Sequence, residues 1–300
     1  MIKDFGLNTH VPSSKELTAS KEVGCEYVRI DVDWRTVESK KGKYNFSNLD
    51  NAINSAKKLG FKVYVSVAYS PTWHRNNYQD LPDKFEWLLF LNKFVLRFQD
   101  KLDVVSIWNE PNLKGFGNFS INDYIKVLLE PSYHAIKKIN PNIKVAAGDI
   151  STMSNSNWYE WTKEIRKNYT IYDIFAIHSY KDDIDELEMS FNTGKFFGIL
   201  GLFFDKYKPY NKELDKIRNH GKEVWLTETG IPTNKVSESK QEKYYKELIE
   251  IKDKIKVNKI FGYELKDDKN IPEKWGIFDN NLNPKKSAQY LLNYNKEISK

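Results

Sequence analysis

The sequence predicts an α/β fold, a (β/α)8 barrel of the TIM-barrel architecture, with residues 1–300 forming one domain. Eight short runs rich in β-branched and aromatic residues alternate with amphipathic helical stretches. The length of 300 residues suits one such barrel, which typically needs about 250. No shift in composition indicates a linker, and we find no repeat or low-complexity block.

The predicted strands are apolar runs that end at polar or glycine residues. They are Asp4–Asn8, Tyr27–Val32, Lys62–Ala68, Val104–Trp108, Lys144–Gly148, Ile174–His178, Glu223–Thr227 and Lys259–Glu264. Strands that alternate with helices pair in parallel, and eight of them close a barrel. An open doubly wound sheet is the alternative, but it favours a glycine-rich first turn, which the segment Phe5–His10 lacks.

The predicted helices have apolar residues at spacings of three and four. The clearest are Asn48–Leu59, Phe85–Phe98, Ile121–Ile139, Trp158–Lys167, Glu238–Lys254 and Pro284–Ile298. Asn48 and Ser237 are expected N-caps, and Gly60 is expected to end its helix. A nine-residue apolar run, Phe196–Phe204, is expected to be a helix packed on the barrel wall, or alternatively a hydrophobic flap beside the cleft.

The composition excludes several classes of protein. The 47 basic and 41 acidic residues are interspersed, so the net charge of +6 predicts a solvated surface and no nucleic-acid partner. The longest apolar run is too short to span a membrane, and the first 20 residues lack the apolar core of a signal peptide. The single cysteine excludes an internal disulfide, and the histidine spacing predicts no metal site and no cofactor. Compartment and oligomeric state stay open.

Two glutamates dominate the candidate functional residues. Glu110 follows the apolar run Val104–Trp108, and Glu228 ends the run that begins at Glu223. In a parallel barrel the carboxyl ends of strands form the face where ligands bind, so both side chains are expected there. Two facing carboxyl groups can break an acetal, one as a proton donor and the other as an ionised nucleophile. The alternative for each glutamate is a structural ion pair at a strand end.

Other polar and aromatic residues gather at the same predicted strand ends. Asn109 could bind a substrate hydroxyl, while Arg29 and Tyr180 are suited to keep a nucleophilic carboxylate ionised, with Glu228 as the expected partner of Arg29. His178 could orient Glu110 or contact substrate. The alternatives are a core salt bridge for Arg29 and a hydrogen-bonded core imidazole for His178.

Aromatic and acidic residues complete the set of candidates. Trp73 and Trp275 are candidate platforms for stacking on a sugar, although packing explains tryptophans near loops equally well. Asp149 and Glu264 are further strand-end carboxylates that could bind a hydroxyl or cap a turn.

Two segments resemble the signatures of glycoside hydrolase clan A, the retaining (β/α)8 superfamily of cellulases, β-mannanases and β-xylosidases. Trp108-Asn109-Glu110-Pro111-Asn112 is similar to the acid/base signature, and Trp225-Leu226-Thr227-Glu228-Thr229-Gly230 is similar to the nucleophile signature. The cellulase-like and β-xylosidase-like branch is the most similar.

The resemblance extends over most of the chain and implies a role for each matching residue. It implies that Glu110 is the general acid/base, Glu228 the nucleophile and Asn109 a ligand of the sugar 2-hydroxyl. Arg29 matches the second-strand arginine. His178 and Tyr180 match the histidine and tyrosine that the family has at its sixth strand.

One departure from the family pattern concerns the floor of the sugar subsite. Many clan members have a tryptophan in the eighth strand, whereas this chain has Phe261-Gly262-Tyr263-Glu264-Leu265. Tyr263 or Trp275 could take its place, and the sequence does not choose between them.

The resemblance implies a retaining β-glycosidase that acts on a carbohydrate substrate, as in polysaccharide degradation. The alternative function is a carbohydrate-binding barrel that has lost turnover. An unrelated barrel enzyme, such as an aldolase or a phosphate-binding isomerase, would need a strand-end lysine or a glycine-rich phosphate loop. Lys266 is the one strand-end candidate, and no such loop is visible.

Overall fold

The computed structural model describes residues 1–153, 156–193 and 209–300, and within them eight parallel strands close a barrel in the order β1 to β8. The predicted (β/α)8 architecture is therefore confirmed. The expectation for Phe196–Phe204 lies outside the described residues. No helix in the described ranges is both long enough and apolar enough to cross a membrane.

The strands follow the predicted runs, with differences of a few residues at their ends. They are β1 Phe5–His10, β2 Tyr27–Asp33, β3 Lys62–Ala68, β4 Val104–Ile107, β5 Lys144–Ser151, β6 Ile174–His178, β7 Glu223–Thr229 and β8 Lys259–Gly262. The register shifts along β5 between Ala147 and Ile150, and along β7 between Leu226 and Thr229. Such irregularities redirect side chains at a barrel rim, here on both sides of the candidate site.

The helices lie outside the barrel and include several that the periodicity did not predict. In chain order, all the described helical segments are α1 Ser14–Glu22, α2 Trp34–Val37, α3 Ser47–Lys58, α4 Lys84–Phe98, α5 Ile121–Asp123, a π-helical segment Tyr124–Leu129, α6 Glu130–Ile139, α7 Trp158–Lys167, a 3₁₀ turn Tyr169–Ile171, α8 Ile184–Asn192, α9 Asn211–Arg218, α10 Glu238–Ile255 and α11 Lys286–Ile298. The sequence does signal α1, because Ser13 and Glu16 form a reciprocal capping box at its start.

Two of the three expected helix ends are confirmed. The Ser237 side chain accepts a hydrogen bond from the Lys240 amide, and Gly60 follows α3 with φ of +79°. The prediction that Asn48 caps α3 is wrong. The helix begins one residue earlier, and the Asn45 side chain accepts from the Ser47 amide 3.1 Å away.

The predicted helix Ile121–Ile139 is interrupted by the π-helical segment. Pro131, in the first turn of α6, has no amide hydrogen and cannot make the regular helical bond. The Tyr124 hydroxyl donates to the Ile107 carbonyl and accepts from the Gly148 amide. The irregular helix thus ties the ends of β4 and β5 together, directly below Glu110.

Large side chains fill the lower half of the barrel. The aromatic rings of Tyr27, Tyr64, Trp225 and Phe261 pack with centroids 5.3–6.0 Å apart, and short aliphatic side chains from β4, β5 and β6 complete this layer. Trp225 is therefore a packing residue. Because strand side chains alternate, the next inward positions toward the carboxyl ends are polar, and they form the floor of the candidate site.

Candidate active site

A cleft of about 700 Å³ opens at the carboxyl ends of the strands. Its lining combines charged residues with an apolar side that includes Leu113, Phe116 and Met153. Six of the sequence-predicted residues lie in or directly below it, namely Arg29, Asn109, Glu110, His178, Tyr180 and Glu228, and Trp275 lies on its wall. The structure therefore brings together seven of the residues that the sequence predicts to be catalytic or substrate-binding.

Glu110 and Glu228 face each other across this cleft. Each residue is 7% exposed, and an oxygen of one carboxyl group lies within 4.8 Å of an oxygen of the other. Glu110 follows β4, whereas Glu228 lies in β7 on the other side of the barrel. Two carboxyl groups this close can act on one bound sugar.

Glu228 is surrounded by hydrogen-bond donors. Arg29 Nη1 donates to its Oε1 at 2.9 Å, and the Tyr180 hydroxyl donates to its Oε2 at 2.5 Å. The expected pairing of Arg29 with Glu228 is thus present. Donors of this kind stabilise the ionised form of a carboxyl group and fix its orientation.

Glu110 has a different environment, because its neighbour is a histidine. His178 Nδ1 lies 3.1 Å from Glu110 Oε1 and 3.3 Å from Glu228 Oε2, so one nitrogen stands between the two carboxyl groups. His178 is fully buried in the floor of the cleft. This position favours the orienting role that the sequence suggested for His178 over direct contact with substrate.

The network below the glutamates is centred on Asp149, which is completely buried. Its Oδ2 accepts from Arg29 Nη2 at 3.0 Å, and its Oδ1 lies 3.5 Å from His178 Nε2. Its other donors are four hydroxyl groups on three strands, those of Tyr64, Ser66, Ser106 and Thr227. Asp149 neither caps a turn nor lines the cleft. It contacts Arg29 and His178, the two side chains that in turn contact Glu228 and Glu110.

Burial and the neighbouring charges both shift the pKa values of the buried groups, and for His178 and Asp149 they act in opposite directions. Burial alone would lower the pKa of His178, but the three surrounding carboxyl groups raise it to about 10, so that it is cationic at neutral pH. Burial likewise opposes ionisation of Asp149, yet Arg29 and His178 hold its pKa well below the ordinary value. Burial raises the pKa of Glu228, and the nearby Glu110 acts in the same direction.

Asn109 and the two tryptophans occupy different positions. The Asn109 side chain accepts from Arg29 Nη2 at 2.8 Å and lines the cleft. Trp275 also lines the cleft, in edge-to-face contact with Tyr180 and Tyr263. Trp73, by contrast, is not among the lining residues. Its indole nitrogen donates to the Glu38 carbonyl, and its ring packs edge-on against Trp34.

Glu110, His178 and Glu228 also offer one ligand atom each within 4.8 Å of one another, and they are the candidate metal-binding trio among the described residues. However, both oxygens of Glu228 already accept a hydrogen bond, from Arg29 and from Tyr180, and cationic His178 has no free lone pair. The donor set therefore suits an acid/base pair better than a metal ion.

The backbone around the site has unusual conformations. Tyr69, Trp108, Glu110 and Asp149 all have positive φ, between 43° and 75°, which is uncommon for residues other than glycine. Tyr69, Trp108 and Glu110 follow strands at the cleft, and Asp149 lies within the last three residues of β5. Gly230, two residues after Glu228, is required for close approach, because a Cβ there would lie 2.2 Å from the Tyr263 carbonyl oxygen.

We expect Asp149→Asn to destabilise the protein by about 3–5 kcal/mol, because it removes the fully buried carboxylate between Arg29 and His178 and so reduces the charge compensation of two buried cations. Equilibrium unfolding in urea measures this loss. Asp50→Asn is the matched control, since Asp50 pairs with Arg97 at the surface and its loss should cost about 1 kcal/mol or less. Equal losses in the two variants would contradict the central place given to Asp149.

A family model described as Cellulase (glycosyl hydrolase family 5) matches residues 4–263. This match confirms the cellulase-like resemblance of the sequence. It includes both glutamates and the strands that carry them, since β1 to β8 span residues 5–262.

Solved structures share the fold at low sequence identity. A family 39 glycoside hydrolase from the gut symbiont Bacteroides cellulosilyticus WH2 is 19% identical with a TM-score of 0.74, covering 98% of this chain and 64% of its own. Xylanase 10B from Thermotoga petrophila RKU-1, in complex with xylobiose, is 17% identical with a TM-score of 0.66, covering 98% and 93%.

An exo-β-1,4-mannosidase from Opitutaceae bacterium strain TAV5 is 14% identical with a TM-score of 0.67, covering 98% of this chain and 59% of its own. The chain therefore spans less than two thirds of the length of the family 39 enzyme and of the mannosidase. These similarities concern the fold.

Proposed function

Because the chain belongs to the cellulase family of glycosyl hydrolases, family 5, we propose that it is a retaining glycoside hydrolase that cleaves β-linked glycosides. The observation that carries the proposal is the distance of at most 4.8 Å between oxygens of Glu110 and Glu228. Retaining enzymes place their carboxyl groups about 5–5.5 Å apart, whereas inverting enzymes need about 6.5–9.5 Å to admit a water molecule.

The two environments support different roles for the two glutamates. Glu228, bound by Arg29 and Tyr180, attacks the anomeric carbon and forms a glycosyl ester, while protonated Glu110 donates its proton to the leaving oxygen. Glu110, now ionised, takes a proton from water, and the resulting hydroxide displaces Glu228. The sugar leaves with the configuration that it had in the substrate, and both glutamates return to their starting states.

The remaining candidate residues support this reaction. Cationic His178 stabilises negative charge on whichever carboxyl group is ionised, since it contacts both. Asn109, held by Arg29, is placed to bind the 2-hydroxyl of the sugar. Trp275 and Tyr263 offer ring surfaces beside the cleft, in place of the eighth-strand tryptophan that this chain lacks.

The stereochemistry of the first product tests the mechanism. Proton NMR should follow an aryl β-glycoside during hydrolysis and detect the β-anomer before mutarotation. Glucoside, xyloside, mannoside and galactoside should be screened first, together with matching β-linked polysaccharides, to identify the sugar. Early appearance of the α-anomer would contradict retention.

We expect kcat/KM to fall on the acid side with an apparent pKa above the ordinary glutamate value of about 4.3. Burial raises the pKa of Glu228, which must be ionised to attack, so activity is lost as pH falls through that raised value. A pH profile between 3 and 8 measures this limb. An acid limb centred below pH 4 would contradict the expected direction.

The alternative proposal is a carbohydrate-binding barrel without turnover, favoured by the absence of tryptophan from the eighth-strand segment Phe261–Leu265. Isothermal titration calorimetry with oligosaccharides separates the two functions. Tight binding without hydrolysis of any aryl glycoside would support the alternative.

A further inference from the structure

Asp31 lines the same cleft, but the proposed reaction does not use it. It is the inward-facing residue that follows Arg29 on β2, since Tyr27, Arg29 and Asp31 share one face of that strand. Tyr27 lies in the aromatic layer in the lower half of the barrel, and Arg29 lies below the glutamates. Asp31, the next residue on this face, therefore lies at the opening of the cleft. Its side chain is 40% exposed, whereas that of Arg29 is 3% exposed.

Arg29 connects Asp31 directly to the reaction centre. The same nitrogen, Nη1, lies 2.9 Å from Glu228 Oε1 and 3.7 Å from Asp31 Oδ1. Both carboxyl groups thus lie close to the same nitrogen, so one sugar ring can place its anomeric carbon at Glu228 and present hydroxyl groups to Asp31. No other carboxyl group of the described lining shares a guanidinium nitrogen with Glu228.

His10 fixes the orientation of Asp31. Its Nδ1 lies 2.7 Å from Asp31 Oδ2, and its Nε2 lies 2.6 Å from Glu264 Oε2. With a carboxylate on each nitrogen, the ring acts as a double donor. Glu264 is 1% exposed, and its other oxygen has no hydrogen-bond partner among the described residues, so its role is to hold His10.

We propose that Asp31 is a sugar-recognition residue that accepts hydrogen bonds from two adjacent hydroxyl groups of the ring bound at Glu228. This inference rests on the proposed function and names the class of sugar: a neutral ring with a free vicinal diol away from the anomeric carbon. An ionised carboxyl group has about four acceptor sites, of which His10 uses one. An acidic or sulfated group at the same place would be repelled by Asp31.

The test compares the native protein with Asp31→Asn on a series of substrates. The series is the aryl β-hexoside that the native protein cleaves fastest and its 3-deoxy, 4-deoxy and 6-deoxy analogues. On the parent, Asp31→Asn should lower kcat/KM roughly 10- to 100-fold, the effect of losing a hydrogen bond to a charged group. On the analogue that lacks a bound hydroxyl, the same substitution should have less than about a third of that effect.

A uniform loss over all four substrates would overturn the proposal, because it would show that Asp31 acts only through Arg29 or on folding. Asp33→Asn is the matched control: Asp33 also lines the cleft, but both its oxygens accept hydrogen bonds from Arg35. Any change in kcat/KM caused by Asp33→Asn should be the same for the parent substrate and for every deoxy analogue.

A second variant makes the result independent of how well Asp31→Asn folds. His10→Gln removes the charge that fixes Asp31 but leaves its carboxyl group, so it should give the same substrate-selective pattern with a smaller loss. If the protein binds glycosides without cleaving them, the same comparison is made with Kd values in place of kcat/KM. The Kd comparison thereby separates a failure of hydrolysis from a failure of Asp31 to recognise the sugar. Equal affinity for the parent glycoside and its deoxy analogues overturns the proposal.

Discussion

Replacing Glu228 with alanine should lower kcat on the order of 10⁵-fold, as removal of a catalytic nucleophile does in other hydrolases. The variant retains Arg29, Tyr180 and a cavity where the carboxyl group was. Azide is small and anionic, so it should enter this cavity and attack the anomeric carbon from the same side. The product should be the α-glycosyl azide, detected by NMR and mass spectrometry.

Glu223→Gln is the matched control for this experiment. Glu223 begins the same strand at the opposite end of the barrel, where it accepts from the Trp225 indole nitrogen. Its replacement should leave kcat within about twofold of the native value. If azide fails to restore turnover of a well-folded Glu228→Ala protein, Glu228 is not the nucleophile.

Replacing Glu110 with alanine should give a loss that depends on the leaving group. A general acid contributes about 10²- to 10⁴-fold, so a poor leaving group such as a second sugar should show the full loss. A dinitrophenyl glycoside needs no protonation to depart, and its glycosylation step should be nearly unaffected. Comparing kcat/KM for the two substrates measures the difference.

Azide distinguishes this variant from the first one. The glycosyl-enzyme still forms in Glu110→Ala, and azide would attack it from the face opposite Glu228, which yields the β-glycosyl azide. An α-product, or an equal loss for good and poor leaving groups, would contradict the acid/base role of Glu110.

The fold and the centre of the site could be predicted because they depend on strong local patterns. Each strand is an apolar run with a terminating residue; Glu110 follows β4, and Glu228 lies one residue before the end of β7. Parallel strands in a barrel have their carboxyl ends at one rim, so proximity in space follows from topology. The pairing of Arg29 with Glu228 follows from the cost of burying an unpaired guanidinium.

Other features could not be predicted, because they depend on contacts between distant segments. Asp149 was a candidate for a hydroxyl ligand or a turn cap, and its burial depends on donors from β2, β3, β4, β6 and β7. Asp31 was not a candidate, since its importance comes from His10 on a neighbouring strand. Trp73 lies in the loop between β3 and α4, where a stacking residue could also lie, but its indole nitrogen donates to the Glu38 carbonyl.

The left-handed residues at the rim have a consequence for engineering this protein. Such conformations cost on the order of 1–3 kcal/mol each and persist only where surrounding structure enforces them. With Tyr69, Trp108, Glu110 and Asp149 all affected, much of the conformational stress of the barrel lies at one end. Thermostabilising substitutions should therefore be sought at the opposite end and on the outer helices, where they can raise the melting temperature without relaxing the rim that carries the candidate site.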